Sequence, residues 1–155
     1  MSIPGYVDIQ INGYHNVDFS DPELTESDFL RTAERIFESG TYLFLPTVIT
    51  GSEEVYLRNI KLMHDAVVKN GLENQIPGIH WEGPFLSDQP GAVGCHNPAY
   101  IRKPDCRFLD KIMDHTGGFI KLMTVAAENE GVEELIRHAV SLGITVGCGH
   151  QLANY

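Results

Sequence analysis

The stretch Phe119-Ile120-Lys121-Leu122-Met123-Thr124-Val125, followed by Val132–Leu142 and then Ile144–Cys148, decides the fold. Its first part is a short apolar run of strand length. In the second part Val132, Leu135, Ile136, Ala139 and Val140 recur at helical spacing, and Gly143 supplies the stop. The third part is apolar again and short. A strand, a helix and another strand in close succession read as a parallel βα unit with a right-handed crossover.

Upstream the same unit recurs. Tyr6–Ile11 reads as a strand, and Thr25–Glu38 as a helix whose apolar face is Phe29, Leu30, Ala33, Ile36 and Phe37. Thr25 with Asp28 forms a plausible N-terminal cap. Leu43–Val48 is strand-like, with Pro46 near its end, where a missing N–H is tolerated. Ser52 caps a second helix, carried by Val55, Ile60, Met63, Ala66 and Val67 and closed by Gly71. Pro77–Trp81 is a third strand, and Phe108–Met113 a short helix. The expected fold class is α/β, with about five parallel βα units.

The chain has 155 residues, 43% hydrophobic and 21% charged, which excludes a disordered chain. A complete (β/α)8 barrel takes about 250 residues and rarely fewer than about 200. Residues 1–155 therefore read as a single domain, too short for a complete barrel. The formal charge is −10, which repels phosphate backbones and disfavours nucleic acid as a partner. Three cysteines, Cys95, Cys106 and Cys148, give no C-x-x-C pair and no disulfide framework, so a reducing cytoplasm is the expected location. No apolar run approaches the roughly 18 residues of a membrane span, and MSIPGYVDIQ lacks the pattern of a signal peptide. Neither a membrane nor a secretory route is expected.

In parallel βα architectures function gathers at the carboxyl ends of the strands. Those ends carry Gln10 and Asn12; Thr47 and Thr50; His80 and Glu82; Thr124 and Glu128; and His150 and Gln151. Polar tips on all five strands suggest a shared mouth. Glu82, before Gly83-Pro84, is either a solvated turn residue or a metal ligand held by a stiff turn. His80, two residues earlier, shares its face and is either a ligand or a support for one. His150, between Gly149 and Gln151, is either a hydrogen-bonded half-buried histidine or a ligand. His96, in a long loop, is either a surface residue or a group that polarises a carbonyl. Cys95 beside it makes a poor nucleophile pair, because sequence neighbours rarely face each other. His15, His64, His115 and His138 give no site signal and are assigned to the surface or to helix packing.

Pro4-Gly5-Tyr6-Val7-Asp8, Gln10-Ile11-Asn12-Gly13, Leu45-Pro46-Thr47, His80-Trp81-Glu82-Gly83-Pro84-Phe85 and Gly149-His150 together resemble the N-acetylglucosamine-6-phosphate deacetylase family. This family is a branch of the amidohydrolase superfamily. The resemblance covers the N-terminal part of its catalytic barrel and implies a TIM barrel of the metal-dependent hydrolase type. It implies one divalent metal ion, Zn2+ or Fe2+, held by Glu82 and His150. It further implies that His96 polarises the acetyl carbonyl, that the Cys95 backbone lies along the sugar, and that Gln10 and Asn12 occupy a former second-metal position as hydrogen-bonding groups. The implied reaction converts N-acetylglucosamine 6-phosphate to glucosamine 6-phosphate and acetate.

The sequence departs from the family pattern at several points. Thr124-Val125-Ala126-Ala127-Glu128 stands where the family has Thr-x-Ala-Pro-Glu, and Gln151 stands where Ser or Thr follows Gly-His. A third metal-ligating histidine, the acid–base aspartate and the phosphate-gripping residues have no counterpart in the 155 residues, so the chain alone is expected to be inactive. Two other readings compete. One is a non-catalytic half-barrel that forms a homo-oligomer through its open strand edges. The other is a different amidohydrolase of dihydroorotase-like type, against which Gln10-Ile11-Asn12 counts, since most amidohydrolases carry His-x-His there.

Overall fold

A computed structural model describes residues 5–153, so Pro4 of the first motif lies outside the described residues. Five parallel strands form one curled sheet: β1 (Tyr6–Ile11), β4 (Thr41–Ile49), β5 (Ile79–Glu82), β6 (Ile120–Val125) and β7 (Thr145–Cys148), adjacent in that order. Helices α1 (Glu26–Glu38), α3 (Lys61–Asn70), α4 (Cys106–His115) and α5 (Val132–Ser141) fill the four crossovers. This is the expected half-barrel, with strand order equal to chain order.

Local chemistry explains the element ends. Thr25 Oγ1 accepts from the Asp28 N–H at 3.1 Å and caps α1. Ser52 does the same for the short helix α2 (Glu53–Val55), which runs through a π turn at Tyr56–Ile60 into α3. The π turn aims Asn59 inward, where its amide donates to the carbonyls of Phe19 (3.0 Å) and Asp21 (2.7 Å). Asp105 caps α4, which is longer at both ends than the expected Phe108–Met113.

Three further boundaries differ from expectation. β4 continues through Pro46 to Ile49; Pro46 pairs with Ile11 where the β1–β4 register is irregular, so the ladder loses little from its missing N–H. β5 starts two residues later than the apolar run Pro77–Trp81 suggests and ends one residue later, on Glu82 itself. A hairpin, β2 (Gly13–Tyr14) with β3 (Val17–Asp18), precedes α1; His15 and Asn16 both take positive φ at its turn, as a tight two-residue connection requires.

The core lies between the sheet and its helices. Trp81 is fully buried, edge-on to Tyr56 (ring centroids 5.2 Å apart) and to Phe85 (5.6 Å), with Phe108 at 5.9 Å. Side chains alternate across a strand, so Ile79 and Trp81 face the helices while His80 and Glu82 face the inside of the curl. Among the described residues no helix is long and apolar enough to cross a membrane.

Candidate metal centre

Glu82, His96 and His150 bring their ligand atoms within 4.8 Å of one another. They come from three places: the end of β5, the loop before Pro98, and the residue just past the end of β7. Glu82 and His96 are buried and His150 half-buried. His80 is not in the cluster. It is buried one step further into the curl, its Nε2 2.8 Å from Thr124 Oγ1 and its Nδ1 3.4 Å from Thr47 Oγ1, and so bridges β6 and β4 beneath Glu82. Burial lowers its pKa below the ordinary 6.5, partly opposed by the Glu82 charge, which keeps it a neutral bridge at pH 7.

Main-chain groups fix the proton on each histidine of the cluster. His150 Nδ1 lies 2.9 Å from the Ala92 carbonyl, which can only accept, so Nδ1 carries the proton and Nε2 presents a lone pair. His96 Nδ1 accepts from the Thr50 N–H at 3.3 Å, so its proton sits on Nε2. His96 Nε2–H then donates to His150 Nε2 at 3.2 Å. Burial, followed by the neighbouring His150, pushes the His96 pKa down, against a smaller upward pull from Glu82. His96 is thus a neutral donor, and His150 and Glu82 are the lone-pair groups.

Glu82 Oε1 and His150 Nε2 stand 3.3 Å apart. Two lone-pair atoms at that distance repel unless a cation lies between or beside them. Tetrahedral zinc with bonds of about 2.0–2.1 Å places neighbouring donor atoms roughly 3.3 Å apart. The pair fits a divalent ion of that kind. Gln10 Nε2 donates to the same Glu82 oxygen at 3.0 Å, which orients the carboxylate.

Two close approaches build the cluster. Gly94 has φ 58°, and a Cβ there would meet His150 Cε1 at 3.0 Å, so the loop closes over the imidazole only with glycine. At Gly149 a Cβ would lie 2.9 Å from Thr124 Cγ2.

The remaining candidates fall as follows. Gln10 joins the cluster through Glu82. Asn12 is exposed just past β1, its carbonyl accepting from Phe19 N–H at 2.9 Å, and does not join it. Cys95 is exposed beside His96 and carries a free thiol. His64 packs edge-on against Phe119, and His138 pairs with Asp110 at 2.6 Å across α4 and α5, both away from the cluster. The Ala92 carbonyl and the Ser87 N–H, which donates to the His150 carbonyl at 3.0 Å, carry no side-chain signal in the sequence.

The chain is 35% identical to N-acetylglucosamine-6-phosphate deacetylase of Bos taurus over 97% of its own length, and 36% identical to that of Haemophilus influenzae over 97%. It spans 37% and 38% of those relatives. Its fold superposes on the deacetylase of Mycobacterium smegmatis in complex with N-acetyl-D-glucosamine-6-phosphate, with TM-score 0.88 and 29% identity, over 99% of this chain and 38% of that one. The Pasteurella multocida deacetylase superposes with TM-score 0.83 and 31% identity, over 97% and 38%. No protein-family model matches. By sequence and by fold, the chain is a relative of the N-acetylglucosamine-6-phosphate deacetylases and corresponds to a little over a third of such a protein.

Proposed function

We propose that the chain forms part of the catalytic barrel domain of a metal-dependent amide hydrolase acting on the acetamido group of N-acetylglucosamine 6-phosphate. Glu82 and His150 would hold one divalent ion, zinc or iron(II). The observation that carries this reading is the 3.3 Å approach of Glu82 Oε1 to His150 Nε2, with the other ring nitrogen of His150 committed to the Ala92 carbonyl. When bound, such an ion supplies Lewis acidity toward a carbonyl oxygen or a water.

This chain's own residues do the rest of what is assigned here. Gln10 holds the Glu82 carboxylate in one orientation through its amide. The Thr50 N–H keeps the His96 proton on Nε2, where it faces the cluster. With the His150 lone pair committed to a cation, the His96 N–H is free to donate to the acetyl oxygen. Such a fixed donor stabilises negative charge as it develops on that oxygen. The Cys95 main chain would lie along the sugar, and Asn12 would add a hydrogen-bonding group at the mouth. The products would be glucosamine 6-phosphate and acetate.

Zinc titration of the purified chain tests this, followed by addition of sugar phosphate. One equivalent of zinc is expected to bind. N-acetylglucosamine 6-phosphate is then expected to shift the His96 ring resonances, and glucosamine 6-phosphate, which lacks the acetyl oxygen, to leave them in place. Failure to bind zinc, or equal shifts from both sugars, would overturn the assignment.

The open edge of β1 favours self-association as a second property. Tyr6, Val7 and Ile9 are 76%, 62% and 56% exposed on it, and among the described residues no strand pairs with its outer edge. Sedimentation at tens of micromolar is expected to give a mass above the monomer; a clean monomer would remove this property from the account.

A further inference from the structure

His150 holds its ring toward Glu82 from an unfavourable backbone position. Its φ is 50°, a left-handed conformation that a residue with a Cβ seldom adopts unless its surroundings impose it. On one side, the Ser87 N–H holds the His150 carbonyl. On the other, two bonds join the tip of β6 to the residues that follow His150, and they run in opposite directions. The Ala127 N–H donates to Gln151 Oε1 at 3.1 Å. The Leu152 N–H donates to Glu128 Oε1 at 2.7 Å. Each strand tip gives one side-chain acceptor and one main-chain donor.

We infer that Gln151 and Glu128 are positioning residues, forming a reciprocal clamp that imposes the left-handed backbone of His150 and so aims its Nε2 at Glu82. The ligand role of His150 rests on the function proposed above; the clamp belongs to the metal-free chain. Ala127 N–H and Gln151 Oε1 are the donor and acceptor of one of its bonds, and the Gln151 side chain is long enough to span the two strand tips.

This coupling gives a distinctive expectation. Gln151→Met keeps the length of the side chain and removes the acceptor; Ala127→Pro removes the donor. Each alone is expected to weaken zinc binding roughly two- to tenfold, the range of one hydrogen bond in a half-exposed setting. The double variant is expected to be no weaker than the weaker single. In the metal-free chain, Gln151→Met is expected to speed hydrogen exchange at the Ala127 amide and to move the His150 ring resonances, with the thermal midpoint unchanged. Multiplicative zinc effects in the double variant, or an unmoved His150 ring in Gln151→Met, would sink the clamp. If the wild-type chain binds no zinc, the metal assignment fails, and the clamp stands or falls on the exchange and ring measurements.

Discussion

Glu82→Gln is expected to lower the zinc affinity of the chain by at least about 100-fold, because loss of a mere supporting partner of a ligand already costs about 10–100-fold. The substitution keeps the shape of the side chain and an oxygen that can still accept from Gln10. What it removes is the negative charge 3.3 Å from His150 Nε2. The fold is expected to survive, since Glu82 is almost wholly buried and its desolvated charge has a histidine lone pair for a neighbour. Competition against a chromophoric chelator measures the affinity, and a thermal melt checks the fold. An affinity within tenfold of wild type would remove Glu82 from the ligand set.

Trp81→Ala is expected to destabilise the chain by about 3–5 kcal/mol, the usual cost of emptying a large aromatic site in a core. At 2–4 °C per kcal/mol for a domain of this size, that is a fall of roughly 6–20 °C in Tm. Trp81 is fully buried, and three aromatic rings lean on it, from β5's own turn, from the π turn and from α4. Its removal leaves Tyr56 and Phe108 facing a void that neither can fill. Trp81→Phe is expected to cost a fraction of this, because it keeps an aromatic ring packed against the same three neighbours. Urea denaturation followed by circular dichroism distinguishes the two. Equal effects would mean that polar contacts of the indole, rather than its volume, hold the core.

The sheet is readable from sequence because its central strands are short apolar runs and each of the four crossover helices is followed within two residues by a glycine. Gly71, for example, takes the left-handed position that closes α3. The β2–β3 hairpin leaves no signal in the sequence because two-residue strands carry no periodicity, and His15-Asn16 lacks the usual glycine. The π turn leaves none because its apolar residues fit an α-helical period nearly as well. In the site, Glu82 and His150 are legible as residue types at strand tips and His96 as one in a long loop. Their proton assignments are not, because the Thr50 N–H and the Ala92 carbonyl that set them are main-chain groups available at any residue. Asn12 looked equivalent to Gln10 from its spacing, yet only Gln10 reaches Glu82, since the chain leaves β1 for the hairpin at that point.

The order of the sheet has a kinetic consequence. Every ladder in it joins strands separated by a whole helical crossover: Tyr6 pairs with Thr41, Thr47 with His80, Ile79 with Ile120 and Leu122 with Thr145. No main-chain bond between these strands can form until a long loop has closed, and that closure is entropically uphill before any contact repays it. The β6–α5–β7 segment closes the shortest such loop, so it is the natural nucleus. Refolding should slow most when its apolar contacts, such as Leu135 and Ala139 against the sheet, are cut back. The candidate metal site draws its residues from β5, its following loop and the end of β7, so it assembles only after the β5–β6 ladder has joined this nucleus.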